Sequence, residues 1–389
     1  MRSRRSREAR RARETSELLR ALRLFGIDIH IDASWLFIFA LLAGNFTLAF
    51  YPQQYQDLGW ATYAVAGLTT TLLYFGSVLF HELSHSLVAM SHGVKVERIT
   101  LFIFGGMSQI RSDSPHPRAE IRIAAAGPLA SFALGVGLWV VSRLAPAEAN
   151  IWAGMALYLA QLNVILALFN LLPGIPLDGG RLMRAALWWR SGDRWGATRV
   201  AAASGRWLGW SLIAAGIMLA ALLGSLMPLW LSLLGLFLKS AADVEGRQAT
   251  ASQLLTGVRV DSVMTRDPVS ISWRASVQEA LQDYFARYSF GGFPVMRDAQ
   301  IVGVVSLADL ARCPPGERNQ VPVARVMTSL GAEHCLRPEE DLAAALQKMA
   351  AAGVTRLPVV DDTGTLAGLI ALHAINRQVR IRDLAARGV

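Results

Sequence analysis

Two histidines stand four residues apart in Leu79-Phe-His81-Glu82-Leu83-Ser84-His85-Ser86-Leu87. On a helix that spacing puts both on one face, one turn apart. Both imidazoles can then bind one zinc ion. Glu82, next to the first histidine, can reach an attacking water as general base. The setting says more than the pattern. The three groups lie inside a long apolar run, where ionisable side chains are expensive and usually functional. A divalent cation is the natural partner to offset that expense.

Catalytic zinc sites usually have three protein ligands plus water. The candidate third ligand is Asp178, the one carboxylate in Asn170-Leu-Leu-Pro173-Gly174-Ile-Pro176-Leu177-Asp178-Gly179-Gly180-Arg181. Prolines and glycines break the helix there. Irregular backbone at membrane depth is tolerated only when buried in protein or lining a cavity. A helix cap or an ion pair with Arg181 is the alternative role for Asp178. Depth supports the pairing. The histidine-bearing run leaves the bilayer near His92. At about 1.5 Å per residue, His85 and His81 lie roughly 10 and 16 Å inward. The run that ends before Asp178 crosses in the same direction. Both ligand sets therefore fall in the cytosolic half.

These residues need a membrane-spanning scaffold, and the composition agrees. The chain has 389 residues, 53% hydrophobic and 17% charged, with mean hydropathy +0.36. That excludes a disordered protein, a fibre and an ordinary soluble enzyme. Two cysteines, Cys313 and Cys335, exclude a disulfide scaffold. The net charge of +9 does not indicate nucleic acid as a partner. The basic residues cluster in the first 25 positions and in short loops, as in a membrane protein with cytosolic positive charge.

Six apolar spans are expected, at 33–51, 66–91, 119–143, 151–172, 198–223 and 227–241, each near the length of about 20 residues that crosses a bilayer. Loop 92–118 carries Lys95, Arg98, Arg111 and Arg118, and loop 173–197 carries Arg181, Arg184, Arg190 and Arg194. Loops 52–65, 144–150 and 224–226 carry no Lys or Arg. This alternation fits six spans with both termini cytoplasmic. The expected parts are a basic, partly helical cytosolic leader at 1–32 and a membrane-embedded domain at 33–245. A linker follows at 246–256. Arginine predominates over lysine, which suggests a GC-rich prokaryotic genome and its plasma membrane.

The stretch Val94–Phe104, with Gly105-Gly106 and Met107–Ile110, reads as a short hairpin dipping into the membrane. It could pair with an unwound substrate strand or plug the bundle. Gly127-Pro128 should kink its helix, and Ser131 is small enough for close packing.

Residues 257–380 read as a soluble α/β module that repeats internally. Ser262-Val-Met-Thr265, Phe293-Pro-Val295 and Ile301–Ser306 return as Arg325-Val-Met-Thr328, Leu357-Pro-Val359 and Leu366–Ile370. The copies span 257–312 and 321–380. Neither looks large enough to bury a good core alone, so the two should pack as one domain.

With these motifs the chain resembles the site-2 proteases, intramembrane zinc metalloproteases of peptidase family M50, in the subgroup with C-terminal tandem CBS domains. The resemblance covers roughly residues 25–380. It rests on His81-Glu-Leu-Ser-His85 and on Asn170–Arg181, which matches the family's N-x-x-P-x-x-P-x-D-G pattern. Weaker matches are Phe104-Gly-Gly106 and Ala126-Gly-Pro-Leu-Ala-Ser131. The implied fold is a polytopic α-helical membrane protein with a membrane-associated β-hairpin and a cytosolic α/β tandem CBS domain. The resemblance implies one zinc held by His81, His85 and Asp178, with Glu82 as base. It also implies that Asn170 stabilises the oxyanion or positions the substrate.

The implied activity is regulated intramembrane proteolysis of a transmembrane protein substrate within the lipid bilayer. CBS pairs often bind adenine nucleotides and associate as homodimers. Ser306-Leu-Ala-Asp309 fits the nucleotide-contacting Ser/Thr-x-x-Asp pattern, with helix capping as the alternative for both residues. The second copy has Ala371 and Ala374 there, so at most one well-formed nucleotide site is expected. A CBS-gated ion transporter is the rival class, but it leaves His81, His85 and Asp178 unexplained.

Overall fold

Ile27-Asp28-Ile29-His30-Ile31 alternates apolar and polar residues, a period that suits a strand with one buried face. In the computed structural model it is one. The structure describes residues 20–386 apart from 57, 104, 111–113, 147–149, 289, 299 and 332–333. Strands β1 (Arg20–Leu24) and β2 (Ile27–Ile31) pair antiparallel. Their two-residue turn, Phe25-Gly26, has positive φ at both positions, 51° and 85°, as a turn matched to strand twist requires. β2 pairs parallel with β3 (Val96–Phe102), and β3 pairs antiparallel with β4 (Gly105–Ile110). The sheet order is β1-β2-β3-β4, with β4 at an edge.

The stretch read as a partly helical leader therefore ends as strand over Arg20–Leu24. Ile27 and Ile29 are buried with Ile99, and pairing with a distant segment overrides local propensity. Residues 1–19 of the leader, and Phe104 and Arg111 near the hairpin, lie outside the described residues.

Helix α1 (Ala33–Asn45) continues through a wider turn to Gln54. It is followed by α2 (Trp60–Ser91), α3 (Pro117–Leu144), α4 (Asn150–Asn170), α5 (Asp178–Ser191), α6 (Arg194–Leu223) and α7 (Leu229–Leu255). Among the described residues five helices are long and apolar enough to cross a membrane. They are Ala33–Gln54, Trp60–Ser91, Pro117–Leu144, Ile151–Asn170 and Arg194–Leu223. Large apolar side chains stand exposed on them, including Leu129, Phe132, Ile165 and Trp207, a surface suited to lipid rather than water.

The sixth expected span, 227–241, is not among those five. Its apolar part is only Leu229–Leu238, about 15 Å of helix, and α7 then runs through Lys239, Asp243 and Glu245. That apolar part packs backbone to backbone on α6. A Cβ on Gly209 would meet the Gly235 carbonyl oxygen at 2.8 Å, and Ser232 donates to the Ile213 carbonyl. The expected linker 246–256 is also helical, as the end of α7.

The chain divides into two compact units between Arg247 and Gln248. The C-terminal unit holds β5 (Thr265–Arg266), β6 (Ile271–Ser272), α8 (Val277–Glu279), β7 (Gly292–Arg297), β8 (Gln300–Ser306), α9 (Leu307–Leu310) and β9 (Thr328–Ser329). It continues with α10 (Leu342–Ala352), β10 (Arg356–Val360), β11 (Leu366–Ala371) and α11 (Leu372–Ala386).

The two sheets exchange strands. β5, from the first copy, pairs with β11 of the second; β9, from the second, pairs with β8 of the first. The cores follow the same logic. Val258 and Val260 pack with Leu342, Leu357 and Ile370, whereas Val323 packs with Ile271, Phe293 and Val305. Each copy completes the core of the other.

Leu357 has no exposed surface in that core. Leu357→Ala is expected to destabilise the C-terminal unit of the intact chain by about 2–5 kcal/mol. Its urea unfolding transition, followed by circular dichroism, measures the loss.

Candidate metal centre

α2 carries His81, Glu82 and His85. His81 and His85 are buried on its inner face, and their rings meet edge to face with centroids 4.8 Å apart. Asp178 is the first residue of α5, where a carboxylate also suits the helix dipole. It arrives there because the preceding segment packs as bare backbone. A Cβ on Gly179 would collide with the Leu171 carbonyl, and one on Gly180 with the backbone of Gly174. The Ile175 amide donates to the Ala201 carbonyl of α6 at 3.2 Å, so the broken helix leaves that donor satisfied.

The three candidate ligand atoms form a tight triangle. His81 Nε2 and His85 Nε2 each lie 3.1 Å from Asp178 Oδ2, and 3.2 Å from one another. Zinc bonds of ~2.0–2.1 Å in tetrahedral geometry space their ligands by about 3.3 Å. The triangle fits that ion.

The outer contacts fix which atoms face inward. His85 Nδ1 donates to the Ile123 carbonyl oxygen at 2.6 Å. A carbonyl can only accept, so Nδ1 holds a proton and Nε2 is the nitrogen turned towards Asp178. His81 Nδ1 lies 3.0 Å from Ser131 Oγ. Two imidazole nitrogens and a carboxylate oxygen gathered at one buried point need a positive charge among them. The donor set therefore suits a divalent metal. Among the described residues this is the one His/Cys/Asp/Glu group with such geometry.

Glu82 does not join the triangle. Its carboxylate accepts from Ser108 Oγ on β4 at 2.8 Å, and Ser86 Oγ lies 3.3 Å from the same hydroxyl. A Cβ on Gly106 would strike Glu82 Cγ. The hairpin thus packs on and orients Glu82. Asn170 is turned onto its own helix and donates to the Leu166 carbonyl at 2.9 Å. The structure does not bring it into contact with the ligand atoms.

Sequence reasoning missed the part played by α3. Glu120, Ile123, Gly127 and Ser131 follow at intervals of three, four and four, one stripe of that helix. Ile123 and Ser131 hold the two histidines. Gly127 lies against both rings: an added Cβ would collide with His85 Nε2 and come within 2.6 Å of His81 Nε2. Gly127 and Ser131, expected to kink and to pack, are outer groups of the site.

In the C-terminal unit Ser306 and Asp309 form a reciprocal capping box. Asp309 accepts from the Ser306 amide at 3.0 Å and from its hydroxyl at 2.6 Å. The capping contacts expected of these two residues are present. Arg356, on β10, is a further candidate that the sequence did not mark. Its guanidinium is half-buried against Gly291 and Gly292 of the other copy. Burial lowers its pKa, and among the described residues no carboxylate pairs with it.

Gly127→Ala is expected to weaken zinc binding about 10–100-fold. Gly137→Ala serves as control, because a Cβ there meets nothing within 4 Å. Chelator competition on the purified protein compares them.

Comparison with known proteins places the chain. The family model "Peptidase family M50" matches residues 69–147 and 144–206, and the "CBS domain" model matches 260–316 and 323–380. The Mycobacterium tuberculosis protein Rip3 is 34% identical over 370 residues, 93% of this chain and 92% of that protein. Zinc metalloprotease MJ0392 of Methanocaldococcus jannaschii is 29% identical, over 94% of this chain and 97% of its own length. A solved site-2 protease from Methanocaldococcus jannaschii aligns at 33% identity with TM-score 0.42, covering 59% of this chain and 94% of that one. The chain belongs to peptidase family M50, the site-2 protease type of zinc metalloprotease, and carries a pair of CBS domains at its C-terminal end.

Proposed function

We propose that this chain is an intramembrane zinc endopeptidase that hydrolyses a peptide bond in or near a transmembrane segment of another membrane protein. One observation carries the proposal: His81, His85 and Asp178 converge within 3.2 Å beside an oriented carboxylate, on apolar helices. These three residues hold the metal, which when bound supplies Lewis acidity towards the scissile carbonyl and towards water. Glu82 takes the proton of the attacking water and returns it to the leaving amine. Ser108 keeps the Glu82 carboxylate aimed during both transfers. Asn170, released from Leu166, positions the substrate or its oxyanion. β4 is an edge strand, which suits pairing with a substrate segment that must unwind before it can be cut.

The protein is multi-pass in the plasma membrane, with both termini cytoplasmic. An even number of crossings then assigns the sixth to the apolar start of α7, Leu229–Leu238, which is short for a span. The CBS pair regulates the protease and supports homodimers. An adenine nucleotide is its ligand, and Arg356 meets the phosphates. This assignment rests on the family match and on a half-buried guanidinium with no carboxylate partner among the described residues.

Two experiments test these roles. Glu82→Gln is expected to slow cleavage of a membrane substrate about 10²–10⁴-fold while keeping one zinc per chain; His81→Ala/His85→Ala loses the zinc. Cleavage at the wild-type rate by Glu82→Gln removes the proposal. Titrating AMP, ADP and ATP into the intact chain by calorimetry should give heat, weakened about 10-fold in Arg356→Ala; no heat with any of the three discards the nucleotide role.

A further inference from the structure

Glu120 stands on the first turn of α3 and is 2% exposed. One of its oxygens accepts from Arg181 Nε at 3.0 Å and from Arg184 Nη2 at 2.5 Å. The other accepts from the Ser114 hydroxyl. Arg181 and Arg184 lie one turn apart on α5, three and six residues after Asp178. Their side chains are only 23% and 15% exposed. Arg184 Nε is buried with no partner among the described residues. Two guanidiniums thus share one buried carboxylate.

Stability alone is a poor explanation for this cluster. A buried ion pair often contributes no more than well-packed apolar residues of similar volume. Its position is more informative. Glu120 begins the stripe whose next members, Ile123, Gly127 and Ser131, hold or abut the two histidines. The same face of α3 therefore reaches the helix that begins with Asp178. The segment ahead of Asp178 is irregular, so the start of α5 needs a fixed point on its C-terminal side. The two arginines supply it.

We propose that Glu120 is a positioning residue for the metal. Through Arg181 and Arg184 it locks α5 against α3, and so keeps the Asp178 carboxylate at coordinating distance from the histidine pair. The proposal rests on the reading that His81, His85 and Asp178 hold zinc, and it adds a group that touches neither metal nor substrate. One rigid face of a single helix then sets all three ligands, two by direct contact and one through the ion cluster.

The test uses the purified full chain. Zinc affinity is measured by chelator competition, and the visible spectrum of the cobalt-substituted protein reports ligand geometry. Glu120→Gln is expected to weaken zinc binding about 10–100-fold, the usual effect of losing an outer-shell partner, and to reduce the absorption typical of tetrahedral cobalt. Glu120→Asp, which keeps the charge, should recover part of both. Should Glu120→Gln not accumulate as folded protein, Arg181→Lys/Arg184→Lys keeps both charges, removes the planar forks and is expected to show the same loss. Wild-type affinity and spectrum in the folded variants would overturn the proposal and leave the cluster a purely structural one. A wild-type chain that takes up no zinc would instead overturn the metal reading, and this anchor with it.

Discussion

Two imidazole nitrogens and a carboxylate oxygen, 3.1–3.2 Å apart and screened from water, need a positive charge among them. That electrostatic condition organises the membrane-embedded unit. It explains why histidines occupy a helix of mean hydropathy 1.5, and why a carboxylate begins the helix that follows a broken segment. The Ile123 carbonyl completes the condition, since it dictates which nitrogen of His85 carries the proton.

Close approach of backbones makes the geometry attainable. Gly127 admits both imidazole rings against α3, and Gly179 and Gly180 let the turn before α5 lie directly on its neighbours. A methyl group at any of these positions would occupy space already filled. Packing of this kind resists compression, so the ligand triangle is held by excluded volume as well as by hydrogen bonds. β4 adds a separate constraint by presenting Ser108 to Glu82. Glu82 and the two histidines are therefore oriented by different elements, β4 for the one and α3 for the others.

Much of this is legible in the sequence because the chemistry is written locally. His81, Glu82 and His85 lie within five residues, and Asp178 sits in a run of prolines and glycines that no ordinary span would contain. The 63-residue interval between Met264 and Met327 reveals the repeat. What escapes has a physical reason in each case. Ser131 and Gly127 look like any small residues in a membrane helix, and a main-chain carbonyl such as that of Ile123 has no sequence signature. Ile27–Ile31 is strand because of partners some seventy positions later, and Arg20–Leu24 joins it through a local hairpin, although the alternation from Ile27 to Ile31 is visible in retrospect. The polar end of α7 reads as a connector because a helix that leaves its apolar stretch keeps no periodic mark of it.

The exchange of β5 and β9 has a further consequence for the C-terminal unit. Each sheet borrows its outermost strand from the opposite repeat, so neither half is a self-sufficient module. A chain ending between Cys313 and Val321 would not retain a single working half. It would leave one sheet without β9 and strand β5 with nothing to join. The duplication therefore has to be kept whole for either sheet to be complete.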